Sequence, residues 1–232
     1  MKKGILLLVV SMLVFSVVAM AAVVPIDTVT GEWANPVGSH GTAVNIDIIG
    51  TPINSTVLWG DHSVRSSYNW TSRITPFDAI IGTPILLGEF THNNFVISTA
   101  SNALETVDLA FTIGTFDSPQ ILTATFAFEH DETLNTGTGN CCNDLVTISD
   151  YSFNQPITVS GIEYYFSLLG FSIDGGKTIA YEFSTIEDQV NRAQLYAVIT
   201  ETPISTVPEP ASLVLFGTGL GVLGLAIWRK KK

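Results

Sequence analysis

TVDLAFTIGTFDSPQILTATFAFE, the stretch Thr106–Glu129, decides the fold of this chain. Apolar and polar side chains alternate on both sides of a turn-forming Asp-Ser-Pro triplet. The apolar positions before the turn are Val107, Leu109, Phe111 and Ile113, and those after it are Leu122, Ala124, Phe126 and Phe128. A period of two residues places such a set on one face of an extended strand. The stretch therefore predicts two half-buried strands.

The same alternation recurs in shorter segments along the chain. These segments contain Val44, Ile46 and Ile48; Ile179, Tyr181 and Phe183; and Leu195, Ala197 and Ile199. Turn-forming residues separate them, as in the Asp174-Gly175 pair, and no long stretch has the period of an amphipathic helix. We therefore predict an all-β domain over residues 22–200, an antiparallel β-sandwich of jelly-roll or immunoglobulin-like type with about ten strands.

The N-terminal segment has the layout of a secretory signal peptide. Lys2 and Lys3 precede an apolar run from Gly4 to Val18, and Ala19-Met20-Ala21 supplies small residues for cleavage. We predict that residues 1–21 are removed on export.

The C-terminal segment predicts a membrane span. Residues 201–210 form a Thr/Pro-rich linker that ends in Pro208-Glu209-Pro210, and an uncharged apolar run follows over residues 211–228. Its 18 residues would extend roughly 27 Å as a helix, close to the hydrocarbon thickness of a bilayer. The basic end at residues 229–232, Arg-Lys-Lys-Lys, is expected to stay in the cytoplasm.

This order of triplet, apolar helix and basic end resembles the PEP-CTERM sorting signal of Gram-negative bacteria. The resemblance rests on Pro208, Glu209, Pro210 and the Arg229 that opens the basic end. It implies export through the Sec translocon, a membrane-tethered precursor and cleavage near the triplet by an exosortase. The product would reach the cell surface, the outer membrane or an extracellular polysaccharide matrix. An ordinary single-pass anchor is the alternative.

The charge of the exported part limits the classes of partner that it can bind. Six of the ten Lys and Arg residues lie in the terminal segments, so residues 22–210 carry four basic side chains against 21 acidic ones, a formal charge of −17. Such a surface disfavours nucleic acid and bare anionic membrane. Cations and neutral glycans suit it better, although acidity also serves solubility alone.

A second resemblance lies in the body of the chain. The segment Glu89–Ile97, EFTHNNFVI, resembles the THxN motif of the THxN family of PEP-CTERM proteins, which is related to choice-of-anchor domains. The resemblance implies an exported β-rich domain without established enzymatic activity. Thr91, His92 and Asn94 are then candidate ligand contacts. Their alternative role, which we favour, is to satisfy backbone groups in a turn after a strand that ends at Phe90.

Two further groups of residues could bind a metal ion or form a disulfide. Oxygen-bearing side chains that suit Ca²⁺ cluster around one polar loop, where a solvated acidic edge is the competing interpretation. The candidate calcium ligands are Glu129, Asp131, Glu132 and Asp144. The loop also carries the two cysteines, Cys141 and Cys142, whose adjacent Cα atoms, about 3.8 Å apart, would make a disulfide strained. A vicinal disulfide, an intermolecular bridge and free thiols all stay open.

No catalytic signature accompanies these groups. The sequence lacks a GxSxG elbow, an HExxH motif and a poised Cys/His pair, so we predict no enzyme and no required cofactor. Several aromatic side chains could stack on sugars, although most of them are core candidates and Trp70 is expected to be exposed; they are Trp33, Trp59, Tyr68, Trp70 and Tyr165. The predicted function is a structural or adhesive surface protein. The alternatives are a carbohydrate- or calcium-binding module and, less favoured, a glycan-acting enzyme.

Overall fold

The computed structural model describes residues 22–39, 45–60, 63–97, 103–115, 118–133, 143–149 and 154–204. The predicted signal peptide, the Pro-Glu-Pro triplet, the apolar run 211–228, the basic end and both cysteines lie outside these ranges. Within them, no helical segment has the length and apolar character that crossing a membrane requires.

The described residues form two antiparallel sheets, which confirms the prediction of an all-β sandwich. One sheet has the strand order β12-β9-β8-β7-β1-β5 and the other β10-β11-β13-β6-β4-β3-β2. The strands are β1 (Val23–Gly38), β2 (Asp47–Thr51), β3 (Asn54–Trp59), β4 (Ser66–Ser72), β5 (Phe77–Ile80), β6 (Ile85–Asn94), β7 (Leu104–Thr115), β8 (Ser118–Asp131), β9 (Asp144–Ile148), β10 (Gln155–Val159), β11 (Ile162–Ser172), β12 (Glu182–Thr185) and β13 (Gln189–Thr200).

The long hairpin predicted from Thr106–Glu129 is the centre of the first sheet. β7 and β8 pair in the register Thr106 opposite Glu129 and Leu109 opposite Phe126. The alternating apolar side chains of both strands are buried, and five of them have no exposed surface: Val107, Leu109, Phe111, Phe126 and Phe128. Alternation in the sequence therefore identifies the core face of both strands.

Aromatic rings join the two sheets. Trp33 of the first sheet packs against Tyr68 and Phe90 of the second, at centroid distances of 5.6 and 6.1 Å. Its indole N–H donates a hydrogen bond of 3.2 Å to the backbone oxygen of Ser55. Phe90 in turn lies 5.9 Å from Phe128 in a stacked arrangement. Such contacts add about 0.5–1.5 kcal/mol per pair to the hydrophobic stabilisation.

Trp70 is also part of this core, so the expectation that it is exposed is wrong. Its side chain is fully buried and lies 5.1 Å from Phe111 of the opposite sheet. Two glycines provide its space: a Cβ atom at Gly31 would lie 2.6 Å from the indole nitrogen, and one at Gly88 would lie 2.5 Å from the six-membered ring. The polar residues next to Trp70 in the sequence do not indicate that Trp70 is exposed, because neighbouring residues of a strand point to opposite faces of the sheet.

The edge strands of both sheets are short. β5 and β12 have four residues each, and β2 and β10 have five. All five residues of β2 are exposed, with Ile49 at 57%, so the prediction that Ile48 belongs to a half-buried strand is wrong. β2 has a neighbouring strand on one side only, which leaves it at the rim of the sandwich.

The chain that leaves the last strand stays attached to the domain. The side-chain oxygen of Asn154 accepts a hydrogen bond of 2.8 Å from the backbone N–H of Ile204. Its amide nitrogen donates a hydrogen bond of 3.0 Å to the backbone oxygen of Ile204. The Oγ of Thr200 donates a bond of 2.6 Å to the backbone oxygen of Thr202. The first residues assigned to the linker are therefore hydrogen-bonded to the domain.

A buried histidine and carboxylate cluster as the candidate functional site

The THxN segment lies inside a central strand. β6 extends to Asn94 rather than ending at Phe90, and it is paired on both sides, since His92 is opposite Tyr68 of β4 and Asn191 of β13. Alternation then places His92 and Asn94 on the core face with Phe90, and all three side chains are fully buried. Thr91 points the other way and is half-buried. A turn role for these residues does not fit this geometry.

The opposite sheet contributes polar side chains to the same end of the sandwich. His130 lies next to the last residue of β8, Asp144 begins β9, and Thr185 ends β12 directly opposite Asp144. Because the strands are antiparallel neighbours, these positions meet at one end of the sheet. His130 is 6% exposed, while Asp144 and Thr185 have no exposed surface. Together with His92 and Glu132, we call these residues the histidine–carboxylate cluster.

Hydrogen bonds define the tautomer of His92. Its Nδ1 lies 2.9 Å from the hydroxyl oxygen of Thr185, and that hydroxyl donates to the backbone oxygen of Asp144 at 3.4 Å. With its proton used there, the Thr185 oxygen accepts from Nδ1–H of His92. Nε2 of His92 then carries a lone pair and no hydrogen, and among the described residues it has no hydrogen-bond partner.

His130 connects the cluster to both carboxylates. Its Nδ1 is hydrogen-bonded to the Tyr68 hydroxyl, so its Nε2 faces the carboxylates. That nitrogen lies 3.0 Å from Oε2 of Glu132 and 3.9 Å from Oδ2 of Asp144. The rings of His92 and His130 are nearly perpendicular, with centroids 5.2 Å apart.

Asp144 is held by one of its two oxygens. Oδ1 accepts hydrogen bonds from the backbone N–H of Thr133 at 3.0 Å and from its hydroxyl at 3.2 Å. Oδ2 is buried and, like Oε1 of Glu132, has no partner within the described ranges. Each carboxylate therefore offers one oxygen to the interior of the cluster.

Aromatic rings close the cluster from the side of the second sheet. The Trp59 indole stacks on His92 at 5.6 Å, and Tyr68 contacts the same imidazole edge-on at 4.9 Å. Both rings have no exposed surface. They keep water away and lower the local dielectric, which strengthens any electrostatic interaction inside.

Burial shifts every titratable group of the cluster toward its neutral form. The pKa of His92 is lowered by desolvation and by the neighbouring His130, and burial lowers the pKa of His130 to about 4. Burial also raises the pKa of Glu132 to about 7, and burial together with Glu132 raises that of Asp144 to about 6. The cluster as it stands therefore disfavours every charged form, and its two imidazoles supply no positive charge at neutral pH.

The predicted calcium ligands separate into two groups. Glu129 and Asp131 are exposed on the outside of β8, whereas Glu132 and Asp144 belong to the cluster. Glu187, which the sequence did not suggest, places a carboxylate oxygen within 4.8 Å of theirs. His130 was also missed, although it continues the inward alternation of Phe126 and Phe128, and that pattern was the available signal.

The candidate sugar-stacking residues are almost all in the core. Trp33, Trp59, Tyr68 and Trp70 are at most 1% exposed, so none of them can stack on a polysaccharide. Tyr165 is half-buried, with its hydroxyl 2.6 Å from Glu163. His92 and Asn94 have no exposed surface and are equally out of reach of a glycan.

Comparison with known families places one function in the C-terminal segment. Residues 206–232 match the PEP-CTERM protein-sorting motif. This motif implies exosortase-dependent sorting of the exported protein to the cell surface. No curated protein has detectable sequence similarity to this chain.

Proposed function

We propose that this chain is an exported structural or adhesive component of the cell surface or of an extracellular polysaccharide matrix. The sorting motif at residues 206–232 is the observation that carries the proposal. The signal peptide exports the chain, the C-terminal helix holds the precursor in the inner membrane, and an exosortase cuts near Pro208–Pro210. The released part is the acidic β-sandwich.

The described domain supports a non-enzymatic role. Its histidines at positions 92 and 130 and the carboxylate of Asp144 are buried between the sheets, where a polymeric substrate has no access. The chain is acidic, and the exposed surface of its described ranges contains few of the large aromatic side chains that sugar-cleaving or sugar-binding surfaces use. Adhesion would then depend on charge and cations more than on stacking.

The experiment is C-terminal mass mapping of the protein from its native host, fraction by fraction. We expect a species that ends near Pro208–Pro210 in the surface or matrix fraction and a longer precursor in the inner membrane. A chain that keeps Arg229–Lys232 in every fraction would contradict sorting and leave a plain membrane anchor. Matrix prepared from a deletion strain then tests the structural role, since loss of cohesion or adhesion is the expected phenotype.

A further inference from the structure

The histidine–carboxylate cluster presents three different donor side chains to one point. One ligand atom from each of His92, His130 and Asp144 lies within 4.8 Å of the other two. Nε2 of His92 and Oδ2 of Asp144 are buried lone-pair atoms with no hydrogen-bond partner among the described residues. Buried polar atoms are nearly always paired, so two such acceptors in one buried cluster favour a bound cation.

We infer that the cluster binds one first-row transition-metal dication of the Zn²⁺ class, with His92, His130 and Asp144 as ligands and Glu132 as the adjacent fourth donor. Two imidazoles and two carboxylates form a mixed nitrogen and oxygen set of the kind these ions prefer. This inference does not depend on how the chain is sorted.

Charge balance supports a divalent ion. When a metal displaces their protons, Glu132 and Asp144 bring two negative charges into a site walled by Trp59 and Tyr68, and no Lys or Arg side chain of the described ranges forms an ion pair with either carboxylate. A dication makes the group neutral. It also reverses the effect of burial on both carboxylates, because the ionised form becomes the favoured one next to a metal.

The hydrogen bonds around the ligands already fix their orientation. Thr185 accepts from Nδ1–H of His92, which leaves the lone pair of Nε2 free to bind an ion. Thr133 holds Oδ1 of Asp144 and leaves Oδ2 for the ion. On binding, Nε2 of His130 gives up its contact with Glu132, and Nδ1–H donates to the Tyr68 oxygen. Such outer partners orient metal ligands and raise their basicity.

Binding would require the cluster to contract by roughly 1 Å. Ligands at about 2.0–2.2 Å from a tetrahedral Zn²⁺ lie about 3.3–3.6 Å from each other. His130 Nε2 and Asp144 Oδ2 are 3.9 Å apart, a few tenths of an ångström more than that. The outer bound of 4.8 Å for the three donor atoms exceeds the tetrahedral separation by roughly 1.2–1.5 Å.

Calcium is the less suitable ion for this set. Ca²⁺ takes six to eight oxygen ligands, whereas two of the three central donors are imidazole nitrogens. The oxygen-only group of Glu132, Asp144 and Glu187 shares Asp144 with the first set and offers the alternative location. The two sites predict opposite ion preferences, so an experiment can separate them.

The test uses the full chain, purified in detergent with Cys141 and Cys142 replaced by serine, because thiols bind zinc themselves. After treatment with chelator, Zn²⁺ and Co²⁺ are titrated and the bound metal per chain is determined. We expect one ion per chain and, for Co²⁺, a visible spectrum of mixed imidazole and carboxylate ligands. At a hundredfold excess over Kd, Zn²⁺ should raise the Tm by roughly 5–10 °C.

Five substitutions test the assignment of the ligands. His92→Gln and Asp144→Asn should weaken Zn²⁺ binding by more than about 100-fold, and Asp131→Asn, which removes an exposed carboxylate nearby, should leave it unchanged. Thr185→Val should weaken binding about 10–100-fold and alter the Co²⁺ spectrum, because it releases Nδ1 of His92. Thr185→Ser, which keeps the hydroxyl, should restore both. Melting in chelator shows whether each variant folds.

Three results would overturn the inference. One is the absence of stoichiometric Zn²⁺ or Co²⁺ binding by the cysteine-free chain. Another is binding that His92→Gln, folded in chelator, leaves intact. The third is a Tm that Ca²⁺ raises and Zn²⁺ does not, which would assign the cation to the oxygen-only group. If the ligand variants do not fold, the Co²⁺ spectrum of the unsubstituted site decides, since ligation by oxygen alone would exclude His92 and His130.

Discussion

Trp70 shows how single residues specify the packing of this sandwich. Its indole occupies space that both sheets leave open by having glycine at positions 31 and 88. The indole N–H donates to the Ser72 hydroxyl at 2.9 Å, so the buried polar atom is also satisfied. Neither glycine has a positive φ, so the requirement for glycine here is one of volume and not of backbone conformation.

We expect Gly31→Ala to lower the free energy of unfolding by about 1–3 kcal/mol, the usual range for an overpacked core. The added methyl group would lie 2.6 Å from the Trp70 indole nitrogen. Chemical denaturation followed by tryptophan fluorescence measures the change. Trp70→Leu should be less destabilising in the Gly31→Ala background than alone, because the methyl group takes up part of the space left by the indole. Additive effects would contradict this account.

Sequence reasoning succeeded at residues whose role follows from alternation and missed those whose role needs two sheets. Phe111, Phe126 and Leu195 were correctly assigned to the core. The contact of His92 with Thr185 joins residues 93 positions apart, and nothing in either local sequence indicates it. The apolar alternation continues through His92 and His130, so the burial of both side chains could have been predicted. Their proximity could not, because it depends on how the two sheets are arranged.

At the scale of elements, the loop after β11 is organised by one carboxylate. Asp174 accepts hydrogen bonds from the backbone N–H of Thr178 at 2.9 Å and from the Ser172 hydroxyl at 2.8 Å. These hydrogen bonds lower the pKa of Asp174 from 3.8 to about 2, and the bond from Thr178 has the largest effect. The Asp174-Gly175 pair, which predicted a turn, therefore lies in a loop that an isolated bridge between Phe171 and Ala180 closes and an ionised residue anchors.

The pH dependence of Asp174→Asn follows from the sign of this shift. A carboxyl whose pKa is lower in the folded state stabilises the fold above the unfolded pKa, and that stabilisation disappears as pH falls through the folded value. We expect the variant to melt below the wild-type protein from pH 5 upward, and the difference to shrink between about pH 4 and pH 2. Because the group is solvent-exposed, the effect should be small. A difference in Tm that is constant across this range would assign it to something other than the charge.

Strands inside the sheets could be predicted from the sequence better than strands at the edges. β7, β8 and β13 were recognised from their apolar alternation, which reflects a covered face. The alternation of Val44, Ile46 and Ile48 predicted a half-buried strand, yet Ile48 lies in β2, which is exposed throughout, because pattern alone does not tell whether a strand lies inside a sheet or at its rim. The end of β6 was misplaced because polar residues at 91–94 look like a turn when their burial is unknown.

For the whole molecule, sorting should depend on the C-terminal triplet and not on the domain. Replacing Pro208, Glu209 and Pro210 by alanine should leave the full-length chain in the inner membrane, because the exosortase loses its recognition element. Immunoblots and mass measurement of each cell fraction would show this. Pro203→Ala, which removes a proline outside the triplet, is the control and should be processed normally. Cleavage and surface delivery of the triple variant would contradict the assigned role of the triplet.

The borders of the two sheets limit how copies of this protein can associate in a dense matrix. Within the described ranges, all four border strands are only four or five residues long, so each offers few free backbone groups to a neighbouring molecule. Joining copies into continuous fibrils by main-chain pairing is therefore disfavoured, even at high local concentration. Any scaffold built from this domain would have to be held by side chains and bridging counterions, and it would soften when salt screens those charges.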